Sequence, residues 1–138
     1  CQLINSQVLL VASAKERELC ASIVEMATGA KVLNLAGATR LSQAFDLISA
    51  ARDMVSNDSG LMHVAAGLGV PQVAVFGSSS PRHTPPLSDK AQVVWLADDP
   101  SYAPALDCAP CFKRSCRFGH TRCLNDVEPE RIAKLILV

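Results

Sequence analysis

The residues best suited to chemistry lie in one short turn, Asn57-Asp58-Ser59-Gly60, and in His63 just after it. The turn joins a β-like run to an apolar helical segment. At such a helix start the first backbone N–H groups have no partner within the helix, and the positive end of the helix dipole adds to them. That combination binds phosphate or diphosphate. We therefore predict an anion site formed by Asp58, Ser59, Gly60 and His63.

A second polar loop, Gly77-Ser78-Ser79-Ser80, follows another aliphatic run at residues 72–76. Loops that leave parallel strands at their carboxyl ends lie on the same edge of the sheet, where ligands bind. Gly77 would let the backbone approach a ligand closely, and the three serines offer small hydrogen-bond donors. We expect Gly77, Ser78, Ser79 and Ser80 to contact the same ligand as the first turn.

Structural explanations for the same residues remain open. Asp58 or Ser59 could be an ordinary helix N-cap, and His63 could be a histidine packed against the core. The chain has no Walker motif and no Gly-x-Gly-x-x-Gly after a strand, which disfavours P-loop NTPases and ordinary dinucleotide dehydrogenases. The convergence of two polar loops on one edge favours the ligand site.

Four of the six cysteines, Cys108, Cys111, Cys116 and Cys123, have the spacing C-x2-C-x4-C-x6-C. Four thiolates this close could hold a structural zinc ion and restrain a long loop, although the spacing departs from the paired CxxC of a zinc ribbon. Reduced or adventitiously oxidised thiols and an iron–sulfur cluster are the alternatives.

The same segment is basic, with cations interleaved between the cysteines. This basic set is either a solvated surface or a contact for an anionic acceptor. Its members are Lys113, Arg114, Arg117, His120 and Arg122.

The elements that would position these residues alternate between strand and helix. Five aliphatic runs are predicted strands, at residues 8–11, 32–35, 54–56, 72–76 and 93–96. The alternation predicts an α/β fold with one doubly wound, Rossmann-like parallel sheet.

Four helices are predicted around these strands. Ser13 and Glu16 form a capping box for the first, and the helix after the Asn-Asp-Ser-Gly turn is apolar nearly all round and should be buried. The apolar faces expected for the other helices are Leu19, Ile23 and Met26 in the first, Leu41, Ala44, Phe45 and Ile48 in the second, and Ile132, Leu135 and Ile136 after Pro129 in the last.

Length and composition limit the classes of protein. The chain has 138 residues and a formal net charge of zero, which suits one domain and gives no electrostatic case for nucleic-acid binding. The longest apolar run, residues 64–76, is broken by Gly and Pro and cannot span a bilayer, so we expect any membrane contact to be peripheral. The start at Cys1, without Met or signal peptide, predicts a domain from a longer protein.

Residues 55–66 contain Asp58-Ser59-Gly60-x-x-His63, which resembles the D-[TS]-G-x-x-H signature of the lipopolysaccharide heptosyltransferases, glycosyltransferase family 9. The resemblance extends over nearly the whole chain. It includes residues 34–37, 76–81, 84–86 and the cysteine run from Cys108 to Cys123.

The resemblance implies a GT-B enzyme with two Rossmann-like domains, of which residues 1–138 are the carboxyl-terminal half that binds the nucleotide-sugar donor. The amino-terminal acceptor domain is absent from this chain. The family's reaction is inverting transfer of heptose from ADP-heptose to the lipopolysaccharide inner core, in the cytoplasm and with peripheral inner-membrane contact as an option. No cofactor is required.

Asp58, Ser59, Gly60 and His63 match the family's donor-diphosphate motif. We expect Asp58 to organise the turn, as a helix cap or otherwise, because its carboxylate would repel a diphosphate. The general base of the family belongs to the amino-terminal domain. No catalytic residue is therefore predicted within this chain, which should bind donor without turnover.

Two other functions remain open. One is a nucleotide-sugar epimerase on the same GT-B plan, which the Thr84-Pro85-Pro86 segment and the cysteine run disfavour. The other is a zinc-clamped interaction module, which near-stoichiometric zinc without nucleotide affinity would indicate.

Overall fold

The chain is a mixed α/β protein whose strands all pair in parallel. Its structure is a computed structural model that describes residues 1–136. The described chain comprises two compact units, Cys1–Leu47 and Ile48–Ile136.

The first unit contains a two-stranded parallel sheet. Strand β1 (Val8–Leu10) pairs with β2 (Val32–Asn34), and Val8 lies opposite Val32. Between the strands come a 3₁₀ turn and helix α1 (Arg17–Met26). Helix α2 (Leu41–Ala50) follows β2.

The predicted capping box lies at the start of the 3₁₀ turn. The Glu16 carboxylate accepts hydrogen bonds from Ser13 Oγ at 2.7 Å and from the Ser13 N–H at 3.0 Å. The bond from the Ser13 hydroxyl is the main reason that the pKa of Glu16 is lowered. The prediction of the buried face of α1 is wrong. Leu19 and Met26 on that face are 63% and 70% exposed, whereas Cys20 is buried.

The second unit is built on a three-stranded parallel sheet in the order β3-β4-β5. Strand β3 is Met54–Asn57, β4 is Gln72–Phe76 and β5 is Ala91–Trp95. Helix α3 (Gly60–Gly67) connects β3 to β4, and a 3₁₀ turn at Leu96–Asp98 follows β5. The chain continues through α4 (Arg122–Asn125) to α5 (Pro129–Ile136).

The predicted α/β fold with parallel strands is confirmed, and backbone hydrogen bonds join the strands as a pair and a triplet. The strand positions themselves agree with the sequence pattern to within two residues at each end. Parallel pairing is what strand–helix alternation requires, since each return to the starting edge needs a crossover.

The core of the second unit lies between α3 and the sheet. Met62, Ala74, Phe76 and Trp95 form one buried cluster, and Ile48, Ala65 and Val70 form another. Strand β4 lies between two strands, and four of its five residues are buried. The expectation that helix α3 is buried holds for the side of Met62, Ala65 and Ala66, whereas His63 on the other side is exposed.

The other two predicted faces are partly correct. In α2, Ala44 and Ile48 are buried but Leu41 is 66% exposed. In α5, Ile132, Leu135 and Ile136 are half-buried around the buried Ala133. Among the helices within residues 1–136, none is long and apolar enough to cross a membrane.

Candidate functional site

The carboxyl ends of β3, β4 and β5 lie side by side at one edge of the second sheet. Asn57 at the end of β3 is paired with Val75, and Phe76 at the end of β4 is paired with Trp95. The loops that leave these strands therefore begin next to one another. This edge is where ligands bind in open parallel sheets.

Ser59 is the N-cap residue of α3 by its backbone conformation, with φ −154° and ψ 165°. Its hydroxyl, however, makes no capping hydrogen bond. Its carbonyl oxygen accepts the first bond of the helix, from the Met62 N–H at 3.2 Å. Both Ser59 and Gly60 are exposed, so the start of α3 presents a hydroxyl and backbone N–H groups to a ligand.

Asp58 is held by the segment that follows β4. The Thr84 hydroxyl lies 3.3 Å from each of the two Asp58 carboxylate oxygens and can donate to either. The contact joins the turn before α3 to the Pro-rich segment 26 residues further along the chain. Asp58 thus organises the turn, but it does so through Thr84 and not as a helix cap.

His63 lies in the first turn of α3 and is exposed. The alternative of a histidine packed against the core is therefore wrong. The buried residues of this helix are Met62, Ala65 and Ala66, on its other side. The imidazole is free to meet a ligand at the start of the helix.

Gly77 is buried, and its small size has a packing reason. A Cβ at this position would lie 2.7 Å from Leu124 Cγ, and the Gly77 carbonyl accepts a hydrogen bond from Trp95 Nε1 at 3.3 Å. Close packing against α4 excludes a larger residue here. Whether the Gly77 backbone also contacts a ligand stays a prediction.

The three serines after Gly77 differ in their surroundings. Ser80 is 2% exposed, and its hydroxyl accepts the Arg82 N–H at 3.2 Å, so it stabilises the local turn. Ser78 and Ser79 are half-buried and are therefore the members of this loop best placed to reach a ligand.

Arg82 is a residue at this edge that sequence reasoning missed. Its guanidinium pairs with Asp98 in the turn after β5, with Nη2 at 2.8 Å from Oδ1. Both side chains are mostly exposed, so the pair contributes little to stability. Nothing in the sequence indicates that Arg82, a lone arginine in a Pro-rich segment, pairs with Asp98.

The cysteine-rich loop, which we define as residues 108–123, packs against the loop after β4. The Phe112 N–H donates to the Ser78 carbonyl at 2.8 Å, and the Phe112 ring lies 5.5 Å from that of His83. These two contacts make the cysteine-rich loop a support for residues 77–84, and Leu124 of α4, just after that loop, packs against Gly77.

The four thiols of this loop line one cavity of about 90 Å³, which also includes Ser78. Backbone N–H groups, above all that of Thr121, lower the pKa of Cys116. Burial raises the pKa of Cys123, and repulsion from the other three thiolates adds to this. The four cysteines are thus close enough to influence one another.

The four thiols are not arranged as a preformed metal site. Across residues 1–136, no three side chains of His, Cys, Asp or Glu are placed so that they could hold one. His120 is also engaged, since its Nδ1 accepts the Arg122 N–H at 3.1 Å and lies 4.0 Å from Cys116 Sγ. A structural zinc ion stays a prediction, and a measurement of the zinc content of the purified protein tests it.

Arg122, one of the predicted basic residues, has its guanidinium bonded to other residues of the protein. Its guanidinium donates to the Tyr102 hydroxyl at 2.8 Å and to the Pro104 carbonyl at 2.9 Å, and it pairs with Asp126. The Tyr102 hydroxyl in turn donates to Asp126, which raises the pKa of Tyr102 and lowers that of Asp126. This network anchors the start of α4.

Comparison with known proteins adds the family. Residues 2–122 match the model of glycosyltransferase family 9 (heptosyltransferase). The chain belongs to glycosyltransferase family 9. The matched region of this family 9 chain includes the turn at Asp58, the loop after β4 and three of the four clustered cysteines. Because the chain belongs to this family, the two alternative functions, an epimerase and an interaction module, are no longer supported.

The similar proteins are heptosyltransferases. The lipopolysaccharide heptosyltransferase 2 of Salmonella typhimurium is 43% identical over 136 residues, which are 95% of this chain and 37% of that protein. The corresponding protein of Escherichia coli is 43% identical over 131 residues, which are 91% of this chain and 35% of that protein. The family 9 chain therefore spans little more than a third of the length of these relatives.

Two solved structures have the same fold. The E. coli ADP-heptose lps heptosyltransferase II matches 95% of the family 9 chain and 36% of its own, with a TM-score of 0.74 and 40% identity. A family 9 glycosyl transferase from Veillonella parvula matches 99% of the chain and 38% of its own, with a TM-score of 0.75. At 21% identity the second likeness concerns the fold alone.

Proposed function

We propose that this chain is the donor-binding part of a heptosyltransferase that transfers heptose from ADP-heptose to the lipopolysaccharide inner core, with inversion. The observation that carries the proposal is the exposed start of α3. There the Ser59 hydroxyl makes no capping bond, and His63 projects from the first helical turn. Family membership supplies the class of reaction.

The site suits a diphosphate leaving group. When ADP departs, negative charge builds on its diphosphate, and preorganised donors aimed at that charge lower the barrier. The Ser59 hydroxyl, the Gly60 N–H and the positive end of the α3 dipole would supply such stabilisation, and His63 would add a hydrogen bond. No metal cofactor is needed for this step.

Asp58 has a supporting role in this proposal. Its carboxylate is occupied by Thr84, so it holds the turn in place without facing the diphosphate. Ser78 and Ser79 would reach the donor from the neighbouring loop. The general base belongs to a part of the enzyme outside this chain.

Two further assignments belong to the same proposal. The partners are ADP-heptose as donor and a lipopolysaccharide core as acceptor, with no nucleic acid. We place the reaction in the cytoplasm, with peripheral contact to the inner membrane where the lipid-linked acceptor resides.

The test is a titration of the protein with ADP, with UDP as the control, followed by amide chemical shifts in NMR spectra. We expect ADP-selective shifts at residues 57–63 and at Ser78 and Ser79, and smaller shifts with UDP. Equal shifts with both nucleotides would contradict selectivity for an adenine nucleotide. Shifts confined to other residues would overturn the assigned site.

A further inference from the structure

Phe112 is an aromatic side chain that the fold leaves in solvent. The chain has four Phe, one Tyr and one Trp. In the second unit Phe76 and Trp95 are buried, and Tyr102 is bonded into the network at the start of α4. Phe112, by contrast, is 58% exposed. Exposure alone is ordinary for a surface residue, so its backbone and its neighbours decide whether it has a role.

The backbone of Phe112 has an unusual conformation. Its φ angle is +52°, in the left-handed region that a bulky residue rarely adopts. Its N–H donates to the Ser78 carbonyl at 2.8 Å, which fixes the residue to the loop after β4. Conformations of this kind persist only where the surrounding structure enforces them, and they are frequent at binding and catalytic sites. Phe112 is therefore held beside the proposed donor loop.

The ring of Phe112 has a neighbour that leads to the turn at Asp58. The centroids of the Phe112 and His83 rings are 5.5 Å apart, and His83 is exposed. The residue after His83 is Thr84, whose hydroxyl contacts Asp58. The two rings thus lie next to the segment that holds the proposed diphosphate turn. A group attached to a diphosphate at the start of α3 would be a neighbour of this ring pair.

The chemistry of the ring pair suits a sugar. A sugar presents C–H groups on its faces and hydroxyls around its edge, so it binds where an aromatic ring adjoins small polar side chains. Phe112 supplies the apolar surface, and the His83 imidazole with the Ser78 and Ser79 hydroxyls supplies the polar groups. The two rings are tilted by 58°, which makes a corner and not the parallel slot that would hold a flat purine base.

We propose that Phe112 and His83 bind the sugar group of the nucleotide-sugar donor, with the Phe112 ring against a C–H face and His83 at the hydroxyls. This inference rests on the proposed function, because it places the heptosyl group of ADP-heptose beside the diphosphate at the start of α3. Phe112 then determines specificity for the sugar and not for the nucleotide.

The test separates the two parts of the donor in the full-length enzyme. Calorimetry without acceptor gives Kd for ADP-heptose and Kd for ADP, in the wild type and in Phe112→Leu. Leucine keeps an apolar side chain but has no aromatic ring. We expect the Kd for ADP-heptose to rise about fivefold, the size of one aromatic contact, and the Kd for ADP to change by less than about twofold. His83→Ala should show the same pattern.

The matched control is Phe118→Leu. Phe118 lies in the same loop and is 57% exposed, but its ring stacks on His120 and has the Arg117 guanidinium carbon 4.6 Å from its centroid. Its replacement should leave both dissociation constants unchanged. An equal rise in Phe118→Leu and Phe112→Leu would overturn the inference, because disturbance of the loop would then be the cause.

A further variant does not depend on the loss of a contact. Phe112→Trp places a fluorescent ring at this position, whereas the natural Trp95 is buried. We expect ADP-heptose to change the emission of this variant and ADP to leave it unchanged. The variant also keeps an aromatic ring, so it should bind ADP-heptose and test the inference even if circular dichroism shows that Phe112→Leu fails to fold.

Three other results would overturn the inference. An unchanged Kd for ADP-heptose in folded Phe112→Leu would remove the ring from the donor site. An equal rise in the Kd for ADP would assign the ring to the nucleotide, and a rise confined to the KM of the acceptor would assign it to the acceptor. Failure of the wild-type enzyme to bind ADP would instead count against the proposed function, so the two failures are distinguishable.

Discussion

At the scale of the residue, the proposed site depends on which side chains near the start of α3 already have hydrogen-bond partners within the protein. Asp58 is engaged by Thr84, whereas the Ser59 hydroxyl makes no capping hydrogen bond and the His63 side chain is exposed. The sequence already predicts that Asp58 organises the turn, because a carboxylate would repel a diphosphate. The structure adds the partner of Asp58, the Thr84 hydroxyl, which lies in a distant segment.

The first prediction concerns His63. Replacing it by Ala should weaken ADP binding by about 1–3 kcal/mol, because a hydrogen bond to a charged phosphate oxygen is lost. Stability should hardly change, since the side chain is exposed. Calorimetric titration and thermal melting check the two effects, and His63→Gln, which keeps a donor, should recover part of the affinity. Unchanged affinity in His63→Ala would remove His63 from the site.

At the scale of the element, two glycines that look alike in the sequence have opposite requirements. Gly60 begins α3, and a Cβ there would meet nothing within 4 Å. Gly77 follows β4, and a Cβ there would clash with Leu124 of α4. The first position is open toward the proposed ligand, and the second is closed by packing.

The second prediction uses this contrast. Gly77→Ala should destabilise the protein by about 1–3 kcal/mol through overpacking, and Leu124→Ala in the same chain should relieve part of the loss. Gly60→Ala should leave stability almost unchanged but weaken ADP binding, because its methyl group occupies the approach of the diphosphate. Chemical denaturation and ADP titration measure both. A stable Gly77→Ala protein would contradict the packing argument.

At the scale of the whole molecule, the chain spans little more than a third of its relatives' length. The turn at Asp58 that is proposed to bind an anion, the loop after β4 and the cysteine-rich loop all lie in the second unit. In the proposed function these parts form the donor site, and the general base lies in a part of the enzyme outside this chain.

The third prediction follows from that division. Residues 1–138 by themselves should bind ADP yet show no heptose transfer above background, whereas the full-length enzyme shows both. The measurement is a coupled assay for ADP release with donor and acceptor present, with circular dichroism as the control for folding. Measurable transfer by this chain would mean that the general base lies within it.

The amino-acid sequence by itself determined the order of the five strands and of every helix but α4, as well as the parallel pairing. It also supplied Asp58, Ser59, Gly60 and His63 as the proposed site. These follow from hydrophobic periodicity and from the backbone donors of a helix start, which are local properties. The family resemblance rests on the same local pattern.

Tertiary structure alone decided what those residues touch. The bond from Thr84 to Asp58, the packing of Leu124 on Gly77 and the bond from Phe112 to Ser78 each join segments more than 25 residues apart. The helix face misjudged in α1 has the same cause. Burial depends on which neighbours the fold brings to a surface, and periodicity within one element does not contain that information.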